Sequence, residues 1–169
     1  MILYDEALPE AFQPINVIRA AVSRDFLGSE NGKPALAYAM SLAPISKGAG
    51  TAITHQVRNI DGIARAYCLR VDVNMLFIDL AAPDFSTRRL GLHRLRVACR
   101  SYLFENAKQI IVESPDRLSR MPDESEELRK EFQRLGIHML CHTQMPTTSM
   151  AEIDTYFARD KSVTSGFLA

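Results

Sequence analysis

Apolar residues along this chain follow two different spacings. Short, nearly unbroken apolar runs at 34–41 (PALAYAMS), 71–81 (VDVNMLFIDLA), 108–114 (KQIIVES) and 137–143 (IHMLCHT) predict four strands. Between them the spacing changes to three and four. Ile53, Val57, Ile60, Ile63, Ala64 and Tyr67 predict an amphipathic helix over 51–68, with Thr51 placed to cap it. Leu92, Leu95, Val97, Cys99, Tyr102 and Leu103 predict a second over 88–107. A third, over 122–136, opens on Pro122, carries acids in its first turn and closes at Gly136. Ahead of the first strand, 14–27 reads as one helix with Pro14 at its start and Gly28 beyond its end, followed by a turn at 29–33. A weak helix is predicted at 149–159, and the last ten residues read as loose.

Strands separated by helices of this length imply an α/β fold with a mostly parallel central sheet and right-handed crossovers. Such sheets gather their chemistry at the carboxyl ends of the strands. Three segments fall there: Ser41 after the first strand, 79–89 after the second and 114–120 after the third.

Composition narrows the field. The chain has 169 residues, enough for one domain with its own core. Twenty basic residues balance twenty acidic ones, so any nucleic-acid face must be local. A hydrophobic content of 47% excludes a disordered chain. No apolar run approaches the length of a membrane span, and the first residues do not read as a secretory signal. Cys68, Cys99 and Cys141 are widely spaced and odd in number, which fits reduced thiols in a cytoplasmic protein better than a disulfide or zinc framework. His55, His93, His138 and His142 have no zinc spacing, and neither a dinucleotide nor a P-loop glycine pattern occurs. No metal or cofactor is expected.

The segment SPDRLSR (114–120) carries the most chemistry. Arg117 and Arg120 are three apart and fall on one side of a turn, where two guanidiniums suit a phosphate or carboxylate. The alternative pairs them with surface acids such as Asp123 or Glu124. Ser41 has no nucleophile-elbow context. Its chemistry would need a phosphodiester held by the arginines, with positioning and charge neutralisation carrying the transfer. Taken alone, it reads better as a small residue ending a strand. Residues 85–104 hold five Arg, one His and no acid. Arg88, Arg94, Arg96 and Arg100 are therefore candidates for contacts to a nucleic-acid backbone, or for pairs with the acid-rich helix at 123–131.

Across roughly 34–145 these pieces resemble the catalytic domain of the serine recombinases, the resolvase and invertase family. ALAYAMS (35–41) resembles the family's first strand with its nucleophilic serine. AITHQ (52–56) resembles the glutamine-marked helix that follows. STRRLGLHRL (86–95) resembles the arginine before a Gly-Leu helix start, and VESPDRLSRM (112–121) holds the DRLxR signature. The resemblance implies a three-layer fold with helices on both faces of the sheet. It also implies metal- and ATP-independent DNA strand exchange by a homo-oligomer, dimer or tetramer. Ser41 would be the nucleophile, Arg89, Arg117 and Arg120 the phosphate ligands, and Asp116 an orienting or proton-transfer group. It divides the chain into an N-terminal extension at 1–33 (one helix), a catalytic domain at 34–145 and a short helix or tail at 146–169.

Three features depart from the family pattern. The arginine usual two residues before the serine is Ala39, the Ser-Gly pair usual after the second strand is missing from DLAAPDFS, and no long helix with a helix-turn-helix follows Gln144. They motivate a second reading, a catalytically impaired, DNA-associated regulatory relative of the same fold. A third, a small α/β enzyme holding a soluble phosphate, ranks last because nothing else in the chain names its substrate.

Overall fold

The computed structural model describes residues 8–43, 48–80, 89–119 and 121–142. Seven strands and four α-helices occur among them: α1 (Pro14–Val22), β1 (Phe26–Gly28), β2 (Lys33–Pro34), β3 (Leu36–Ser41), α2 (Ala49–Ala66), β4 (Leu69–Asp72), β5 (Leu76–Leu80), α3 (Leu90–Arg100), β6 (Gln109–Val112), α4 (Pro122–Arg134) and β7 (His138–Cys141).

The main sheet is wholly parallel in the order β5-β3-β6-β7. Its central strand, β3, is buried along its whole length, which is why its sequence runs apolar without alternation. Alternation instead decides which layer each side chain joins. Ala35, Ala37 and Ala39 enter a core with Ile18 of α1 and Ile53, Val57 and Ile60 of α2. Leu36, Tyr38 and Met40 enter a second core with Leu92 and Leu95 of α3 and Leu128 and Phe132 of α4. The fold is thus an α/β/α sandwich: the strand–helix alternation implied the parallel α/β sheet, and the resemblance implied its three layers.

The sequence missed a second sheet. It has the order β1-β4-β2, with β1 antiparallel and β2 parallel to β4. The helix expected over 14–27 stops at Val22, where Ser23 turns left-handed (φ 56°), and Phe26–Gly28 continues as β1. Hence the N-terminal region is not one helix alone. Gly28, at φ 85°, lies so near β4 that an added Cβ would sit 2.0 Å from the Leu69 carbonyl oxygen. The single strand expected over 71–81 is two, β4 and β5, separated by a 3-10 turn at Val73–Met75 that carries the chain between sheets. The cap of α2 is Gly48 rather than Thr51, which lies inside the helix. The helix expected over 88–107 ends at Arg100 and gives way to a 3-10 turn at Tyr102–Phe104. The weak helix at 149–159 lies outside the described residues.

Candidate active site

Ser41 ends β3 opposite Leu80 of β5 and is 2% exposed. Its hydroxyl oxygen accepts a hydrogen bond from the Ala43 N–H at 3.2 Å. Strand pairing between β3 and β6 stops at Tyr38 and Val112. Beyond it, the buried Gln56 side chain of α2 takes the place of a neighbouring strand. It donates to the Met40 carbonyl at 2.7 Å and accepts from the Met40 N–H at 3.1 Å. An amide is suited to this because it carries both a donor and an acceptor.

On the α3 side, Asp79 of β5 caps the helix across the chain. Its oxygens accept from the Gly91 N–H at 2.7 Å and the Leu92 N–H at 2.9 Å. Those N–H groups would otherwise lack partners in the helix, and the carboxylate charge suits the helix N-terminus. Tyr38 donates its phenolic hydrogen to Asp79 Oδ2 at 2.7 Å and accepts from Arg89 Nη2 at 2.8 Å. Burial, reinforced by the Asp79 charge, pushes the Tyr38 phenol well above its ordinary range, while Arg89 pulls the other way.

Arg89 immediately precedes α3, and its guanidinium turns inward. It donates through Nη2 to the Arg117 carbonyl at 3.0 Å and through Nη1 to the Leu118 carbonyl. Its Nε is buried without a hydrogen-bond partner among the described residues. Arg89 therefore grips the backbone of the 3-10 turn Pro115–Arg117 that follows β6, and that turn packs against β3.

The Arg117 side chain leaves the same turn toward α2. Its Nε donates to Glu113 Oε2 at 3.0 Å. Glu113 Oε1 accepts from Asn59 Nδ2 at 2.7 Å and lies 3.7 Å from His55 Nε2, both residues of α2. Glu113 follows Val112 and shares the parity of Ile111, so alternation turns it to the α2 layer, as it does Ser41 on the neighbouring strand. Ser41 and the Arg117–Glu113 pair thus belong to one face at the carboxyl ends of β3 and β6.

The other expected site residues fall as follows. Asp116 is exposed in the turn. Arg120 and Arg88 lie outside the described residues. Arg96 forks onto Glu131 of α4, Nε to Oε1 at 3.1 Å and Nη2 to Oε2 at 2.8 Å. Arg100 Nη2 reaches Glu131 Oε1 at 2.5 Å. These two arginines take the second of the arrangements the sequence allowed, pairing with the acidic helix. Arg94, on the same helix, also has an interaction partner. Arg117 pairs with Glu113 rather than with Asp123 or Glu124, and Glu124 instead accepts from the Ser119 hydroxyl.

Tyr38, Glu113 and Asn59 escaped the sequence reading, as did the capping role of Asp79. Asp79 and Glu113 gave a signal that could have been used. Each is an acid at the carboxyl end of an apolar strand run, where a charge is buried only to serve a partner. Among the described residues no group of three or more His, Cys, Asp or Glu is gathered to hold a metal ion, and no helix is long and apolar enough to cross a membrane.

Comparison with known proteins bears on the family and the fold. Residues 46–163 match the family described as "Resolvase, N terminal domain"; Ser41 lies just ahead of the matched stretch. Among solved structures, the C-terminal catalytic domain of ISC1926 TnpA, an IS607-like serine recombinase, superposes with a TM-score of 0.51 at 17% identity, over 74% of this chain and 77% of that one. The N-terminal catalytic domain of TP901-1 integrase gives 0.51 at 16% identity, over 81% of this chain and all of that one. Curated proteins give no match. The matched stretch covers more than half of the chain, its sheet and helices are laid out as in recombinase catalytic domains, and the chain therefore belongs to the resolvase N-terminal-domain family, that of the serine recombinase enzymes.

Proposed function

We propose that this chain is the catalytic part of a site-specific DNA recombinase that cuts and rejoins DNA through Ser41, without metal or ATP. The Ser41 oxygen attacks the scissile phosphorus as its proton leaves. The P–O bond to the 3′ oxygen breaks and that oxygen takes up a proton, leaving a phosphoseryl link and a free 3′ hydroxyl. The reverse attack by a 3′ hydroxyl reseals the strand and restores serine. Bond energy is kept in the covalent link, so no nucleotide is consumed. Arg117 and Arg120 supply positive charge to the pentavalent centre, where stabilising donors act most strongly. Asp116 orients them or takes part in proton transfer. Arg89, whose guanidinium is engaged by the Arg117 and Leu118 carbonyls and the Tyr38 hydroxyl, acts by holding the turn that carries Arg117.

The observation that supports this reading is that Ser41 and the Arg117–Glu113 pair share the α2 face at the carboxyl ends of β3 and β6, in a chain of the resolvase family. The domain reading, a catalytic unit at 34–145 preceded by an extension and followed by a tail, belongs to the same proposal, as does action as a dimer or tetramer. Incubation with supercoiled DNA carrying candidate sites, quenched with detergent, should give a covalent protein–DNA adduct that Ser41→Ala abolishes.

A second reading has its own support. Ala39 stands where the family carries an arginine, and Ser41 is buried with its oxygen engaged by Ala43. These favour a catalytically impaired, DNA-associated relative. Absence of the adduct with every site tested, alongside retained DNA binding, would select it.

A further inference from the structure

We propose that Glu113 is a positioning residue for Arg117: it fixes the guanidinium by its Nε edge, and its charge limits how strongly Arg117 captures a phosphate. The proposal rests on the reading of Arg117 as a phosphate ligand.

The Glu113 side chain is only 13% exposed, so its charge needs partners. Three converge on it from two elements. Arg117 Nε meets Oε2 at 3.0 Å, Asn59 Nδ2 meets Oε1 at 2.7 Å, and His55 Nε2 stands 3.7 Å from Oε1. Asn59 also lies 3.3 Å from His55 Nε2, so the two α2 side chains brace each other against the carboxylate. Arg89 holds the Arg117 carbonyl at 3.0 Å from the other layer. Arg117 is thus fixed at its backbone by one layer and at its side chain by the other. A guanidinium carries five N–H donors in a rigid fork, and this pairing engages the one at Nε. Among the described residues its two Nη nitrogens make no hydrogen bond, which leaves an edge of the fork suited to phosphate oxygens.

The same carboxylate repels an incoming phosphate. Glu113 therefore favours orientation at the expense of affinity. Removing its charge while keeping its shape should have two opposite effects: tighter DNA binding and slower strand cleavage. A residue that merely stabilised the turn would weaken both.

The test is a mutant cycle of wild type, Glu113→Gln, Arg117→Ala and the double variant. Affinity for a fluorescent duplex oligonucleotide of mixed sequence is read by anisotropy. Hydrogen exchange at the Arg117 Nε–H is read by 15N NMR in the two forms that retain Arg117. Glu113→Gln should tighten binding about fivefold in the wild-type background and leave it unchanged in the Arg117→Ala background. The Nε–H should exchange faster in Glu113→Gln than in wild type. Equal tightening in both backgrounds would show a general charge effect and overturn the proposal, as would unchanged Nε–H exchange. Equal DNA affinity of wild type and Arg117→Ala would instead overturn the phosphate reading of Arg117, and the affinity half of this proposal with it. The exchange measurement then decides the positioning half independently.

Discussion

The guanidinium of Arg89 donates to the backbone carbonyl of Arg117 at 3.0 Å, so one cation holds the main chain from which another extends. Among the described residues, the Leu118 carbonyl and the Tyr38 hydroxyl are its other hydrogen-bond partners. Replacing Arg89 by Met keeps a long apolar stem but leaves two carbonyls and a phenol without their donor. Charge-assisted bonds of this kind contribute about 1.5–3 kcal/mol, so Arg89→Met should cost about 2–4 kcal/mol in urea unfolding. Hydrogen exchange should quicken first at the amides of the turn 115–118. Arg89→Lys should rescue little, because a single ammonium cannot span the three oxygens from the same stem.

Ala39 poses the question of whether the missing family arginine can be restored. Its side chain joins the apolar layer formed with Ile53 and Val57 and is fully buried. An arginine at 39 would place a charge among aliphatic side chains and overfill a packed site. Ala39→Arg should destabilise the protein by more than about 3 kcal/mol, or prevent folding, rather than create a phosphate contact. Circular dichroism with thermal melting checks this. A well-folded Ala39→Arg protein would show that the α2 layer can open at this point.

Gly91 tests the seating of α3 on β5. A glycine within a helix ordinarily costs up to about 1 kcal/mol relative to alanine, so Gly→Ala there tends to stabilise. Here an added Cβ would lie 2.6 Å from the Ile78 carbonyl oxygen and 3.0 Å from Asp79 Cγ. Gly91→Ala must push the helix start off the strand and lengthen the two bonds to Asp79. The expected sign is therefore reversed, a loss of about 1–3 kcal/mol measured by chemical denaturation.

How much of this was legible beforehand varies by element. The run at 34–41 announced a fully buried strand, and the Pro122-to-Gly136 segment marked a helix that the structure places at Pro122–Arg134. Strand β1 was not legible. Its three residues, Phe26–Gly28, are too short for any period to show, and they exist as a strand because β4 lies beside them. The β4–β5 division was hidden for a related reason: only Asn74 interrupts the apolar run there, since Val73 and Met75 on either side of it pack against the core. At the site, Arg117 was recognisable from its spacing to Arg120, whereas Glu113 was not. Its importance comes from Asn59 and His55, more than fifty positions earlier in the chain, and only the packing of α2 beside β6 brings them together. Periodicity reports which face a residue takes, not which distant side chain meets it there.

Tyr38 gives the chain a distinctive alkaline behaviour. Its phenol is buried, and the adjacent Asp79 carboxylate further opposes ionisation; Arg89 only partly offsets both. The folded-state value is therefore raised above the unfolded value of about 10. A group raised in this way stabilises the fold fully below the unfolded value, because the proton is bound in both states there. Above it, the unfolded chain releases the proton while the folded chain retains it, so stability falls as pH rises. Wild-type protein should thus lose stability progressively above about pH 10, and ultraviolet titration of tyrosinate in the native state should leave one tyrosine silent until unfolding. Tyr38→Phe removes the hydroxyl while Asp79 keeps its bonds to Gly91 and Leu92. It should cost about 1–2 kcal/mol near neutral pH, with a visibly flatter decline in alkali. An unchanged alkaline slope in Tyr38→Phe would place the titrating group elsewhere.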